Sequence, residues 1–270
     1  MALDDRMAER SRSFGPLAED YDRLRPGFPE QLFTDLLASA HDMPREVLEI
    51  GAGTGKATVP LLARGLDVTA VEPSPEMARV LLERAREAGV ADRLDVVVAP
   101  FEEFRPERRF GIVVAAQSFH WVDPSTRWQR LADVLLPGGS AGLFWNAWML
   151  DPQRHDHGAI RRVFEAEGTG LRPDVVPFAS DDRPPEGMEE VPELVDFRVR
   201  RYQRTWALAT SDYLALLATT SQFAVLDEGA RATILTALGA SLGSGVELRL
   251  QTELSLLTRR PDPGPPGPPE

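Results

Sequence analysis

A glycine-rich turn with a carboxylate further along the chain is the part of the sequence best suited to bind a nucleotide-like ligand. The apolar segment 47–50 runs directly into a turn that holds three alternating glycines, Gly51, Gly53 and Gly55. Glycines let the backbone approach a ligand closely because they carry no Cβ. A second apolar segment, 67–71, is followed by Glu72, whose carboxylate can accept hydrogen bonds from the two hydroxyls of a ribose. These residues predict a site for a ligand that contains a nucleoside.

The residues around the turn distinguish between three kinds of ligand that use such glycines. A dinucleotide site needs glycine at position 56, which is Lys56 here. A P-loop for nucleoside triphosphates needs glycine at position 50 and a hydroxyl at position 57, which are Ile50 and Ala57. Glu49, directly before the turn, repels a pyrophosphate and attracts an ammonium group. S-adenosylmethionine carries an ammonium, a sulfonium and a ribose, so the pattern indicates this cofactor.

Further segments extend the pattern into a resemblance to class I S-adenosylmethionine-dependent methyltransferases, over roughly residues 14–150. The segments similar to motifs of that family are Val47–Gly55, Val68–Met77, Phe110–Asp123 and Leu135–Gly139, the last of which precedes a fifth strand at 141–148. Two segments, Tyr21–Pro29 and Gln117–Trp121, are similar to a small-molecule subgroup (methyltransferase type 11-like) that includes the trans-aconitate and ubiquinone-type methyltransferases. The resemblance implies a methyltransferase that acts on a small molecule.

The resemblance also implies roles for individual residues at the cofactor. The residues expected to bind S-adenosylmethionine are Tyr21, Arg25, Glu49, Gly51, Ala52, Gly53, Thr54, Gly55, Glu72, Pro73, Met77, Pro100, Phe101, Glu102, Gln117 and Ser118. Tyr21 is expected near the sulfonium, Arg25 near the methionine carboxylate or an acidic substrate, and Met77 against the adenine. Pro100 stands where the family commonly has an aspartate that binds the adenine amino group, so a backbone carbonyl or Glu102 is expected to replace it.

A histidine lies just past the predicted fourth strand, where the transferred methyl group is expected. A neutral imidazole at His120 can remove the proton of an acceptor hydroxyl, and the alternative is that His120 only fixes its loop or lines the pocket. Three tryptophans near strand ends are expected to form an apolar acceptor pocket, or else to pack in the core: Trp121, Trp145 and Trp148.

The composition limits the class of protein and its partners. The 270 residues, 43% of them hydrophobic, suffice for one α/β domain with a substrate cover. The net charge of −12 repels phosphate backbones and anionic lipid, so we expect a small-molecule acceptor and neither a nucleic-acid nor a membrane partner. Residues 1–12 are charged and lack the apolar segment of a signal peptide. We therefore expect a cytoplasmic protein, while its oligomeric state stays open.

The sequence predicts no metal site. Cysteine is absent, which excludes disulfides and thiolate ligands. His155 and His157 are two residues apart and do not share a helix face, so we interpret the segment around Asp156 as the start of a helix.

Alternating strand and helix patterns predict an α/β protein with a Rossmann-like, doubly wound sheet of seven mostly parallel strands. The strands are expected at 46–50, 67–72, 94–98, 111–116, 141–147, 196–204 and 246–257. Helices are expected at 56–64, 75–88, 125–135, 159–167, 211–219 and 227–241, with two more between 13 and 40. The predicted parts of the chain are an N-terminal helical cap (1–40), a cofactor-binding core (41–150), an insertion that covers the substrate (151–195), a C-terminal completion of the sheet (196–260) and a disordered tail (261–270).

These patterns predict an enzyme that moves the methyl group of S-adenosylmethionine to a small organic acceptor by in-line displacement. An oxygen is the first expectation for the acceptor atom, and nitrogen and carbon remain open. Two alternatives use the same pocket: a module that binds the cofactor without turnover, and aminopropyl transfer, which normally needs more acidic residues near the fourth strand than Asp123. A nicotinamide-dependent oxidoreductase is disfavoured by Lys56.

Overall fold

The computed structural model describes residues 18–166, 182–224 and 226–262. Within these ranges, seven strands form one sheet in the order β3-β2-β1-β4-β5-β7-β6. The strands are β1 (Glu46–Ile50), β2 (Asp67–Val71), β3 (Leu94–Val97), β4 (Phe110–Ala116), β5 (Leu135–Leu150), β6 (Leu194–Ala209) and β7 (Gly245–Arg259). Strands β1 to β5 pair in parallel, whereas β7 runs antiparallel to both β5 and β6. The predicted doubly wound, mostly parallel sheet is confirmed.

Helices cover both faces of this sheet. They are α1 (Ala18–Leu24), α2 (Glu30–Ala38), α3 (Thr58–Ala63), α4 (Pro75–Glu87), α5 (Arg127–Val134), α6 (His157–Ala166), α7 (Thr210–Ala218), α8 (Ser221–Ala224) and α9 (Glu228–Leu242). Val47 of β1 packs in one layer with Phe33 of α2 and Leu61 of α3, and Leu48 packs in the opposite layer with Leu131 of α5. Successive side chains of a strand point to opposite faces, so a strand covered on both faces is apolar at nearly every position.

The C-terminal helices form a third core at one end of the sheet. Phe164 of α6, Tyr213 of α7 and Leu238 of α9 pack with Trp148 and Leu150 at the end of β5. Leu24, the last residue of α1, belongs to the same cluster. This packing brings α1 and α7 together above the carboxyl end of β5.

The glycine turn packs closely against α4. Gly55 has φ +85°, and a Cβ at this position would lie 2.4 Å from Cδ1 of Leu81, so a larger residue would both strain the backbone and clash. The helix itself begins at a defined residue, because Ser74 Oγ accepts the N–H of Met77 and Pro75 occupies the first turn. The packing of Gly55 therefore fixes the turn relative to the start of α4.

The fifth strand begins earlier than the sequence predicts. The segment 135–139, expected as a turn, lies within β5, where the pairing with β4 moves from Phe110–Leu135 to Ile112–Ser140. Residues 136–139 of β5 therefore lie opposite the single residue Gly111 of β4 and do not pair with that strand in register. Pro137 has no N–H to donate to a ladder, and Gly138 has φ +79°, which glycine adopts readily. The irregularity interrupts the ladder without ending the strand.

Some predictions fall outside the described part of the chain. These are the start of the N-terminal cap (1–17), the middle of the predicted insertion (167–181) and most of the predicted disordered tail (263–270). Among the residues that the structure describes, none of the helices has the length and apolar character needed to cross a membrane.

Candidate active site

A cavity of about 610 Å³ opens at the carboxyl ends of β1, β2, β4 and β5, where ligands of doubly wound sheets bind. Its volume lies within the range of small-molecule sites. Four residues line it from above the sheet edge: Tyr21 on α1, Arg25 directly after α1, and Thr220 and Gln222 after α7. The cavity is thus bounded by elements far apart in the sequence.

Glu72 lies at the β2 end of the cavity and is held by two backbone groups. Its Oε2 accepts the N–H of Gly53 at 2.8 Å, and its Oε1 accepts the N–H of Ser74 at 2.9 Å. Burial raises the pKa of this carboxyl group, and the two backbone hydrogen bonds oppose that shift. A carboxylate has about four acceptor positions, so the two that remain can accept ribose hydroxyls at the cavity wall.

The glycine turn lies beside Glu72 and leaves space for a ligand. Gly51 and Ala52 donate their N–H groups to the carbonyl of Val71 at 2.8 and 3.2 Å. A Cβ on Gly51 would lie 2.5 Å from Cβ of Ser118, whereas a Cβ on Gly53 would have no atom within 4 Å. Glycine at 51 thus allows the turn to approach the end of β4. Glycine at 53 keeps the cavity open.

Glu49 is not part of the cavity wall. Its side chain is fully buried beneath the turn, where Oε2 accepts a hydrogen bond from Thr58 Oγ1 at 2.6 Å and Oε1 has no hydrogen-bond partner. Burial raises the pKa of Glu49 to about 8, the Thr58 hydrogen bond opposes this shift, and the Glu72 charge adds to it. The side chain of Glu49 therefore lies beneath the cavity, and its burial favours the protonated form.

The end of β4 carries a strained residue next to the turn. Gln117 is not a glycine, yet it has φ +61°, a conformation that persists when the surroundings hold it and that is common at functional sites. Its N–H donates to the carbonyl of Phe144 at 2.9 Å, and its Nε2 donates to the carbonyl of Asn146 at 3.3 Å. Ser118 Oγ donates to the carbonyl of Ile50. These bonds join the ends of β1, β4 and β5.

His120 follows in a 3₁₀ turn, Phe119–Trp121, and lines the cavity with its ring open to solvent. The centroid of its ring lies 4.7 Å from that of Trp121. Partial desolvation by the surrounding protein and the positive charge of Arg127 both lower the pKa of His120. The imidazole is therefore neutral at physiological pH and can accept a proton.

The residue directly after α1 is an arginine that lies above the sheet. Arg25 Nε donates to Thr219 Oγ1 at 3.2 Å, and Nη2 donates to the carbonyl of Thr219 at 3.0 Å. Its Cζ lies 5.1 Å from the ring centroid of Tyr21 and 5.3 Å from that of Trp148. The guanidinium thus lies between two aromatic rings that also line the cavity.

A charged network joins α1 to the glycine turn. Oδ1 of Asp22 accepts hydrogen bonds from Thr54 Oγ1 at 2.8 Å and from Arg84 Nη1 at 2.9 Å. Nζ of Lys56 lies 3.6 Å from the same oxygen and also donates to the backbone carbonyl of Asp22. Lys56, the only lysine in the chain, therefore helps to hold α1 beside the turn.

The structure brings together nearly all the residues that the sequence singled out. Of the twenty named cofactor, catalytic and acceptor residues, eighteen line the cavity. The exceptions are Glu49, which lies beneath the turn, and Gly55, which packs against Leu81. Sequence reasoning missed several other lining residues: Pro26, Phe28, Lys56, Asn146, Thr220 and Gln222. Of these, Lys56 carried a signal because it replaces the third glycine of a dinucleotide site, and Pro26 and Phe28 lie in the segment Tyr21–Pro29 that resembles the small-molecule subgroup.

The residues predicted to lie at the adenine line one part of the cavity. Pro100, Phe101 and Glu102 line the cavity, and Glu102 Oε1 accepts the N–H of Asp123 at 2.9 Å.

The described residues include no group of three or more histidines and carboxylates placed to hold a metal ion. Instead, Asp156 Oδ1 accepts backbone N–H groups at 2.9 and 3.0 Å at the start of α6, as a helix cap does.

Comparison with known proteins agrees with this geometry. Residues 47–139 match the family model of a methyltransferase domain. An uncharacterized methyltransferase of Mycobacterium tuberculosis is 41% identical over 138 residues, which are 51% of this chain and 54% of that protein. A Saccharomyces cerevisiae protein named as a probable S-adenosylmethionine-dependent methyltransferase is 26% identical over 128 residues, covering 46% of this chain and 43% of that protein. The chain thus spans about half the length of these curated relatives.

The fold is shared with solved structures. One from Anaeromyxobacter dehalogenans, described as a type II methyltransferase, superposes with a TM-score of 0.55 at 24% identity and covers 87% of this chain and 97% of that one. Through residues 47–139 the chain is similar to methyltransferase domains.

The buried Glu49 gives a prediction about stability. Its pKa is about 8 in the folded protein against 4.5 as the ordinary value, so between these values the folded state binds more protons than the unfolded state. Stability therefore falls as pH rises through this window. Glu49→Gln removes the titrating group. Its free energy of unfolding relative to that of the natural protein should be about 2–4 kcal/mol higher at pH 8 than at pH 5, as measured by urea unfolding.

A second variant checks the cause of this pH dependence. The hydrogen bond from Thr58 lowers the pKa of Glu49, so Thr58→Val should make the loss of stability with rising pH steeper. Equal pH dependence of unfolding in the natural protein and in Glu49→Gln would contradict the assignment of a protonated Glu49.

Proposed function

We propose that the chain transfers the methyl group of S-adenosylmethionine to a small organic acceptor, with an oxygen as the atom that is methylated. The observation that carries this proposal is one continuous cavity that extends along the strand ends. Glu72 and the glycine turn lie at one end of it, and His120 with Trp145 and Trp148 at the other. A nucleoside bound at the first end leaves room for an acceptor at the second.

The residues at the β2 end fit the cofactor. Glu72 keeps acceptor positions for two ribose hydroxyls, and the space beside Gly53 is open. Met77 and Phe101, each 4% exposed, provide apolar walls for a planar base. When bound, the cofactor supplies an electrophilic methyl carbon: a lone pair of the acceptor forms the new bond to this carbon while the carbon–sulfur bond breaks and leaves a neutral thioether.

The residues at the β4 and β5 end position the acceptor and receive its proton. The strained backbone at Gln117, fixed by hydrogen bonds to β5, sets the position of the turn that carries His120. If the acceptor is a hydroxyl, the neutral imidazole of His120 takes the proton that the oxygen loses as it attacks. The larger part of the rate acceleration then comes from holding the acceptor atom in line with the methyl group of the cofactor.

The charge of the chain favours a small-molecule acceptor over a nucleic acid. The net charge is −12, and a field of this sign opposes association with a phosphate backbone. The cavity is also lined largely by apolar and aromatic side chains, which is typical of small-molecule sites.

The cofactor assignment is tested by calorimetric titration. The natural protein should bind S-adenosylmethionine and should not bind NAD. Glu72→Ala removes the acceptor of both ribose hydroxyls, and each hydrogen bond to a charged group contributes about 1.5–3 kcal/mol, so the affinity should fall by roughly 10²-fold or more.

The matched control is Glu76→Ala. Glu76 is an exposed carboxylate in the first turn of α4, bonded to Ser74 Oγ, and it does not line the cavity. Its removal changes the net charge by the same amount and should leave cofactor affinity unchanged. Tight binding of NAD by the natural protein, or equal losses in the two variants, would contradict the assignment.

The role of His120 is tested with a panel of hydroxyl-bearing acceptors and the methylated products. Because its pKa is lowered, His120 remains unprotonated as pH falls from 8 to 6, and kcat for a hydroxyl acceptor should be nearly constant over that range. His120→Gln should lower kcat by about 10²–10⁴-fold with little change in cofactor affinity. An unchanged kcat in this variant would assign His120 to the fixing of its loop.

A further inference from the structure

Helix α1 covers the cofactor end of the cavity with few apolar contacts. Of its seven residues, Ala18 and Leu24 are buried, and Ala18 packs with Met77 and Val80 of α4 in a small apolar cluster. Tyr21 packs against the same cluster and lines the cavity. Elements with little buried apolar surface open at a lower cost in free energy than the rest of a fold. The wall that α1 forms is therefore displaced more easily than the strand ends below it.

The carboxyl end of α1 is anchored to other elements. Arg25, directly after the helix, donates two hydrogen bonds to Thr219. The carbonyls of Pro26 and Gly27 accept hydrogen bonds from Nδ2 of Asn146 on β5 at 3.2 and 3.3 Å. A displacement of α1 that preserves these bonds turns the helix about its carboxyl end and separates it from the glycine turn.

One half-buried carboxylate joins α1 to the glycine turn and to α4. Oδ1 of Asp22 lies 2.8 Å from Thr54 Oγ1, 2.9 Å from Arg84 Nη1 and 3.6 Å from Lys56 Nζ. Arg84 Nη1 also donates to the carbonyl of Thr54 at 3.0 Å. We call these four residues the Asp22 cluster. Charges that are partly withdrawn from water are screened less than exposed ones, so the cluster holds α1 against the turn.

Two members of the Asp22 cluster do not line the cavity. Thr54 and Lys56 are part of its wall, whereas Asp22 and Arg84 are not. An effect of Asp22 on a bound ligand must therefore pass through the position of α1 or of the turn. Burial lowers the pKa of Lys56, Asp22 opposes this shift, and the charge of Arg84 adds to it. Without the Asp22 carboxylate the two cations would lose the counter-charge that they share, and their hydration would favour an open position of α1.

Ion pairs at the surface also join α1 to its neighbours. Glu19 pairs with Arg79 of α4 at 3.1 Å, and Arg23 pairs with Asp212 of α7 at 3.2 Å. The side chains of these pairs are 45–82% exposed, and exposed pairs contribute little to stability. The Asp22 cluster is therefore the stronger of the charged links between α1 and the walls of the cavity.

We infer that Asp22 is a positioning residue that holds α1 closed over the cofactor, and that the Asp22 cluster must open before the cofactor enters or leaves. This inference rests on the proposed function and adds to it the step that controls cofactor exchange. The cluster consists of protein groups alone, so it forms both with and without the cofactor. Weakening it should therefore speed entry and exit by similar factors and change the affinity little.

The test measures the rates at which tritiated S-adenosylhomocysteine binds and dissociates. Rapid filtration after mixing gives the association rate constant, and a chase with the unlabelled compound gives the dissociation rate constant. Asp22→Asn keeps an oxygen that accepts from Thr54 but removes the charge that Lys56 and Arg84 share. Both rate constants should rise about 5–30-fold, with Kd within about threefold of the natural value. Unchanged rate constants, or faster dissociation with unchanged association, would overturn the inference.

Further variants locate the effect in the Asp22 cluster. Arg84 does not line the cavity, so faster exchange in Arg84→Gln acts through its partners, and this variant keeps the test decisive if Asp22→Asn fails to fold. The double variant should exchange no faster than Asp22→Asn alone, because the two residues are in contact. The matched control, Glu19→Gln, removes a carboxylate of the same helix from its exposed pair with Arg79 and should exchange within about twofold of the natural rate. Equal acceleration in Glu19→Gln would contradict the inference.

Salt gives a second readout, which needs no variant. S-adenosylhomocysteine carries an ammonium and a carboxylate, and its lack of net charge keeps the direct effect of salt on its encounter with the protein small. Both rate constants of the natural protein should rise between about 0.05 M and about 0.5 M sodium chloride. Those of Asp22→Asn should change much less, whereas Glu19→Gln should keep the salt dependence.

The outcomes separate this inference from the proposed function. If the natural protein does not bind S-adenosylhomocysteine, the proposed function fails and the inference fails with it. If the natural protein binds the compound and exchange responds neither to Asp22→Asn nor to salt, the proposed function stands and the inference alone is overturned.

Discussion

The hydrogen bond between the N–H of Gly53 and the carboxylate of Glu72 is the contact on which the arrangement of the site depends. It joins the turn after β1 to the end of β2, and the second oxygen of Glu72 accepts the N–H of Ser74, which caps α4. One buried carboxylate thus sets the positions of the glycine turn and of the start of α4. The two N–H groups offset part of the cost of its burial. The parallel sheet places both strand ends at the same edge, so that this contact can form.

A second set of contacts determines how the cavity is covered. Asp22 links α1 to the glycine turn and to α4 through Thr54, Lys56 and Arg84. Arg25, one helical turn further on, links the same segment to the end of α7. The side chains of Asp22, Lys56 and Arg84 are between 21% and 27% exposed, so solvent screens these ion pairs less than fully exposed ones. The position of α1 therefore depends on polar contacts at both of its sides, and α1 with the residue after it supplies Tyr21 and Arg25 to the cavity.

The sequence predicted the fold, and it predicted which residues meet at the edge of the sheet, because both depend on local patterns. Apolar runs identified the strands, and β1 was placed at 46–50, as observed. Gly51, Gly53 and Glu72 are close to a strand end in the sequence, so their meeting at the sheet edge follows from the topology. Glu49 does not line the cavity, because alternation along β1 turns its side chain into the interior toward Thr58. Its expected contact with an ammonium group stays a prediction.

What the sequence could not provide are the contacts between distant segments. Asp22 meets Arg84 across 62 positions of sequence, and Arg25 meets Thr219 across 194. No periodicity or motif links such pairs, since their distance depends on how the helices pack over the sheet. The irregularity of β5 was missed for a related reason. Proline and two glycines at 137–139 normally indicate a turn, and here the pairing of Leu135 with Phe110 extends the strand beyond them.

The most direct test of the account is a crystal structure of the protein with S-adenosylhomocysteine. The account predicts that both ribose hydroxyls donate to Glu72, that the adenine lies between Met77 and Phe101, and that the sulfur faces the turn that carries His120. A ribose bound by any other residue, or a nucleoside placed over β5 beside Arg25, would contradict it.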